Sequence, residues 1–127
     1  MVKRKANPKK RLRSIADKLW YEAYLKDECE VCGERGYLQA HHFYYKGSYG
    51  YFRYSQDNHI TLCRKCHFIL HHQDPKKITE QIIDKRGQEW YNELRKQTIE
   101  TYYSFQTVGW YKQNIDKLQE YLNETNL

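Results

Sequence analysis

Apolar residues recur at helical spacing through the first part of the chain. Leu12, Ile15, Ala16, Leu19, Trp20 and Ala23 fall on one helix face, and Asn7-Pro8 supplies a cap and a first-turn proline to start it. A helix is therefore expected from about residue 8 to about residue 27, with one face to bury. Residues 36–44 then read as a strand carrying His41 and His42, and residues 59–62 as its hairpin partner. The next helix should begin near Cys63 and run to about His72. Asp74-Pro75 marks another helix start, Ile78, Ile82 and Ile83 give it an apolar face, and Gly87 is its stop or a hinge. Trp90, Tyr91, Leu94, Tyr102 and Phe105 predict a further helix, and Trp110, Tyr111, Ile115, Leu118, Tyr121 and Leu122 a last one after Gly109. The fold class expected is α+β and mostly helical, with no internal repeat.

Length allows one such unit. A chain of 127 residues, 39% hydrophobic and 30% charged, builds one modest core and has no room for two independent domains. No long apolar run is present, so no membrane span is expected. Charge changes the picture only once it is located. Of the net +6, residues 1–13 carry seven basic side chains (Lys3, Arg4, Lys5, Lys9, Lys10, Arg11, Arg13) and no acid, which leaves residues 14–127 at −1. The expected organisation is a basic N-terminal arm, 1–13, and a single domain, 14–127. Such an arm suits a polyphosphate backbone, where each neutralised phosphate releases counterions. A solvated tail is the plainer reading of the same residues.

The four cysteines form two Cys-x-x-Cys pairs, Cys29/Cys32 and Cys63/Cys66. Two intervening residues let a tight turn aim both thiolates at one ion, and two such pairs complete a tetrahedral shell for a structural Zn²⁺. The alternative, disulfides, would suit a secreted chain, and no apolar stretch follows the basic start to make a secretory signal. A reducing, cytoplasmic setting is expected.

Histidines are interleaved with these pairs. His67 and His71, four apart on a helix, share one face and reach a single ion, whereas His72 lies about 100° round from His71. His41 and His42 are neighbours on a strand and point to opposite sides if it is regular. Either one faces the ion while the other does different work, or a local bend brings both towards it. His59 reads as a histidine with no catalytic role.

The run Cys29-Glu30-Val31-Cys32-Gly33, then Leu38-Gln39-Ala40-His41-His42, then Asp57-Asn58-His59-Ile60-Thr61-Leu62-Cys63-Arg64-Lys65-Cys66-His67, and finally His71, resembles the HNH endonuclease motif with its four-cysteine zinc site. Within that superfamily the chain is most similar to phage recombination endonucleases of the Rap/NinG type, through its basic helical lead-in, the residues Phe52 to Asn58, and the Gly87 to Leu94 spacing. The broad resemblance covers about residues 29–72, the narrower one about 12–96. It implies a small ββα-metal core flanked by N-terminal and C-terminal helices, the latter over 75–127, and hydrolysis of phosphodiester bonds in DNA. Carried over by position, His42 would be the general base and Asn58 would hold the loop that orients it. His41, His67 and His71 would bind one catalytic divalent ion. Many relatives have an aspartate where this chain has His41. An imidazole-rich shell favours Mn²⁺, Co²⁺, Ni²⁺ or Zn²⁺, while Mg²⁺ is the physiological default by abundance.

The implied setting is a bacterial or phage-infected host cell, and junction resolution would favour a homodimer. Two other readings stay open: a restriction-type or homing-type HNH endonuclease on duplex DNA, and a non-catalytic zinc module that binds nucleic acid or protein. The aromatic stretch Phe43, Tyr44, Tyr45, Tyr49, Tyr51, Phe52 and Tyr54, with Lys46 and Arg53 as candidate DNA contacts, suits stacking on unpaired bases or covering a small core.

Overall fold

The computed structural model of the chain describes residues 8–44, 52–99 and 106–125. Within them a two-stranded antiparallel sheet lies between two groups of helices, a small α+β arrangement that is mostly helical. The first helix, α1, spans Pro8–Ala23 and opens on its proline, whose fixed φ suits a first turn. It stops short of residue 27 because the chain turns there, with the Lys26 N–H donating to Thr61 Oγ1 at 3.0 Å. The strands are β1, Leu38–His42, and β2, His59–Cys63, paired so that Leu38 faces Cys63 and His42 faces His59. Strand β1 is shorter than the sequence pattern because Tyr37 has a left-handed φ of 54° and ends the extended backbone.

Helix α2, Arg64–His72, follows β2 without a loop, with Cys63 as its cap. Helix α3, Pro75–Arg86, is capped by Asp74, whose Oδ1 accepts from Lys77 N–H at 3.1 Å. Gly87, with φ +103°, closes it and admits the turn into α4, Gln88–Ile99. Tyr102 and Phe105 lie outside the described residues. The last helix, α5, is Val108–Thr125. Thr107 Oγ1 accepts from Trp110 N–H at 3.1 Å, so the helix starts ahead of Gly109 and that glycine sits in its first turn.

All five residues of β2 are buried, because helices cover it on both sides. On one side Ile60 and Leu62 pack with Leu70, Ile78 and Ile82 from α2 and α3. On the other, Ala16 and Trp20 of α1 meet Tyr54 and the Tyr111, Ile115 and Leu118 stripe of α5. Phe52 and Tyr54 are buried and Phe43 packs on Trp90 at 4.9 Å, so these rings of the aromatic stretch cover core. Tyr45, Tyr49 and Tyr51 lie outside the described residues. Among the described residues no helix is long and apolar enough to cross a membrane.

One polar network ties the two cysteine segments to α3. The Glu30 carboxylate accepts from Arg86 at 2.8 and 3.1 Å, from Lys26 at 2.7 Å and from the Thr61 N–H at 2.6 Å. Arg86 also donates to the carbonyls of Asp57 and His59. Burial works against the Glu30 charge, but its Arg86, Lys26 and Thr61 partners outweigh it and hold the carboxyl below its ordinary value. Replacing Glu30 with Gln leaves the Arg86 charge without a carboxylate inside the protein, an expected loss of about 3 kcal/mol in urea denaturation. Lys26 is half exposed, so Lys26→Ala should change stability by less than about 1 kcal/mol. A carboxyl depressed on folding contributes stability that is present above pH 4.5 and lost as pH falls through its folded value. The wild type should therefore lose more stability on acidification than Glu30→Gln does.

Candidate functional site

Cys29 and Cys32 stand on a knuckle closed by Gly33, whose φ of +80° suits a residue without Cβ and whose N–H donates to Cys29 O at 3.0 Å. Cys63 and Cys66 come from the start of α2, where Cys63 Sγ accepts from the Cys66 N–H. All four thiols are unbridged and lie within 4.8 Å of one another. Burial resists ionisation of Cys29, but hydrogen bonds from the backbone of Cys32, Cys63 and Val31 outweigh it and bring that thiol down to about 7. Burial, reinforced by the neighbouring sulfurs, pushes Cys66 up. A cation is what lets all four give up their protons together. The set therefore fits a four-coordinate ion such as zinc.

The second cluster is built from β1 and α2. His41 projects from the strand toward the helix face that carries His67 and His71. Its ring centroid lies 5.8 Å from His67 and 5.2 Å from His71, and those two are 4.3 Å apart. One nitrogen of each ring falls within 4.8 Å of the others. Burial, and then His71 and His67, lower His41 to about 4, and burial followed by His71 and His72 lowers His67. Neutral imidazoles are the ligand form, so the donor set suits a borderline divalent ion and leaves coordination positions for other ligands. Helix α2 contributes to both clusters, with Cys66 and the cap residue Cys63 at its start and His67 and His71 along it. An ion held by the four thiols would brace the start of the helix that carries His67 and His71.

His42 takes the opposite side of β1. Its ring stacks on Trp20 with centroids 3.8 Å apart and planes 12° from parallel. Its Nε2 is 3.0 Å from the carbonyl of Arg53. A carbonyl only accepts, so Nε2 carries the hydrogen and the basic lone pair of the neutral ring is on Nδ1. Asn58 is fully buried and binds both polar groups of one residue: Oδ1 accepts from Tyr44 N–H at 2.8 Å and Nδ2 donates to Tyr44 O at 3.2 Å. With Phe43 N–H donating to Asn58 O at 3.0 Å, this pins the chain immediately after His42. Asn58→Ala removes both side-chain bonds to the part-buried Tyr44 backbone, and an expected loss of about 2 kcal/mol should lower its urea midpoint.

The basic residues fall into different surroundings. Lys9, Lys10 and Arg11 are exposed on the first turns of α1, so the arm is helical from residue 8 onward. Arg13 lies against α5, donating to Tyr111 Oη at 3.0 Å. Lys3, Arg4, Lys5 and Lys46 lie outside the described residues. Arg53, expected to contact DNA, is corrected: it is 6% exposed and its guanidinium is held bidentate by Asp17 at 2.9 and 2.7 Å. Its side chain is committed to α1, and its carbonyl is what reaches His42.

Sequence reasoning missed Asp17 and the stacking role of Trp20. They lie three residues apart on α1, and Trp20 Nε1 also donates to Ser55 O at 3.0 Å, so α1 grips the segment that orients His42 at two points. Only the helical spacing of Asp17 and Trp20 hinted at this. His59 is buried, donates from Nε2 to Tyr21 O at 3.2 Å, tilts against Trp20, and is lowered to about 4 by burial. It stays neutral as part of the core. Comparison with protein-family models, curated proteins and solved structures gave no significant match.

Proposed function

We propose that the protein is a metal-dependent DNA endonuclease of the HNH type, hydrolysing phosphodiester bonds with a ββα-metal core. The observation that carries this reading is the consecutive pair His41-His42, one ring directed to the His67/His71 face of α2 and the next held by the Arg53 carbonyl. A three-imidazole cluster and a tautomer-fixed imidazole, one residue apart, are the parts a hydrolytic site needs.

His42 is the general base, accepting the proton of the attacking water at Nδ1 while Nε2–H stays on the carbonyl of Arg53. Asn58 is a positioning residue that acts through the Tyr44 backbone. A divalent ion held by His41, His67 and His71 would supply charge stabilisation at the phosphate and the leaving oxygen. The imidazole donors suit Mn²⁺, Ni²⁺ or Zn²⁺ by affinity and Mg²⁺ by availability. The cysteine ion is structural.

The substrate assigned is branched, recombination-intermediate DNA, as for the Rap/NinG type, cut by a homodimer in the cytoplasm of a bacterial or phage-infected cell. The test is cleavage of supercoiled plasmid and of a synthetic four-way junction with Mg²⁺ or Mn²⁺, by wild type and His42→Ala. Cutting that needs the ion and His42, with preference for the junction, supports both parts of the reading. Preference for linear duplex shifts it to a restriction-type or homing-type enzyme. DNA binding with no cutting under any divalent ion replaces it by a non-catalytic zinc module.

A further inference from the structure

Tyr37 immediately precedes β1 and has a left-handed backbone. It is 77% exposed and, among the described residues, it alone combines a side chain with a positive φ, a region that disfavours any residue bearing a Cβ. What the ring meets is a cation: the Arg64 guanidinium carbon lies over it, 4.8 Å from the centroid. Arg64 is the first residue of α2, exposed, with exposed Lys65 beside it. An aromatic face backed by a guanidinium and flanked by a second cation is the combination that takes up a nucleobase with its phosphates.

The position of this pair connects it with the histidine cluster. By the helical repeat, Arg64 lies within about 20° of His71 and about 60° of His67 round α2, and about 10 Å from His71 along its axis. That length is about three base steps at the 3.4 Å rise of a DNA strand.

We propose that Tyr37 and Arg64 form a stacking platform for an unpaired DNA base about two to three nucleotides from the bond addressed by the histidine site, with Arg64 and Lys65 on the adjoining phosphates. The register rests on the endonuclease reading; the binding does not. The platform gives a use for the exposed ring of Tyr37, since a base stacks only on a ring face that is open to it.

The test is made in the His42→Ala protein, so that binding is measured without cutting. The probes are a fluorescent oligothymidylate and a blunt duplex of equal length. Tyr37→Ala and Tyr37→Gly should bind the single strand about tenfold more weakly and the duplex within about twofold, with Tyr37→Phe close to the parent. Arg64→Ala should weaken both and make the salt dependence shallower by about one charge. The urea midpoint of Tyr37→Gly should equal or exceed that of the parent, since glycine relieves the backbone, which separates a binding loss from unfolding. Unchanged single-strand affinity in Tyr37→Ala overturns the platform, whether or not the wild type cuts DNA. If the wild type cuts nothing, the endonuclease reading falls, and a single-strand loss in Tyr37→Ala still upholds the platform. An abasic site walked along a cleaved branched substrate tests the register: it should reproduce the Tyr37→Ala loss two or three nucleotides from the cut, and loss at no position overturns it.

Discussion

Cys63→Ser, or removal of the cysteine-bound ion by a chelator, will abolish the cooperative thermal transition of the whole chain. A structural zinc in a four-thiolate site contributes an apparent ~10–16 kcal/mol to folding, whereas a domain of this size has ~5–15 kcal/mol in all. Cys63 concentrates the effect. It is a thiol of the cluster, the cap of α2, the last residue of β2 and a member of the buried core on the α2 and α3 side. Circular dichroism against temperature, with zinc content measured on the same samples, checks this. A Cys63→Ser protein that melts cooperatively without zinc would mean that the four thiols only fill space. His67→Ala removes one imidazole from a partly exposed helix face and should keep both the melt and the zinc of the cysteine site, because His67 is not one of its ligands.

The two clusters were legible in the sequence because local spacing decides them. Cys-x-x-Cys needs a turn or a helix start, and both occur, at Gly33 and at Cys63; His67 and His71 need only one helix. Which of His41 and His42 joins them is decided by the register of β1 on β2, which sets His41 opposite Ile60. Side-chain pairings between distant segments that no motif marks were not legible. Arg53 read as a phosphate contact because its neighbours are polar and aromatic, but its partner Asp17 lies 36 residues away and burial then decides its role. Glu30 sits inside the cysteine knuckle where any solvated residue would satisfy the motif, and its partner Arg86 is 56 residues on. Helix ends differed for the same reason. Residues 24–27 have no helical breaker, and the Thr61 hydroxyl that takes the Lys26 N–H belongs to another strand.

His42→Ala should lower DNA cleavage by about 10²–10⁴-fold without unfolding the protein, the range expected for loss of a positioned base. The geometry adds a second, graded expectation, because His42 is held from α1. Asp17 fixes the Arg53 guanidinium and accepts from Tyr54 Oη at 2.9 Å, Arg53 presents its carbonyl to Nε2, and Trp20 covers one face of the imidazole. Trp20→Phe keeps a ring under His42 but gives up the hydrogen bond to Ser55 O. It should leave KM near the wild-type value and lower kcat, since the ring of His42 gains freedom while the DNA contacts stay. Asp17→Asn keeps the shape of the side chain and removes the charge that Arg53 needs, so it should cost about 3 kcal/mol of stability. If its only effect is on stability, cleavage per folded molecule stays at the wild-type level and the pH dependence does not move. If Arg53 orients the base, kcat falls, and the acid limb of the pH profile shifts along with the Nε2 hydrogen bond. A wild-type pH profile for folded Asp17→Asn would remove the Asp17–Arg53 link from the mechanism while leaving His42 and its Trp20 contact in it.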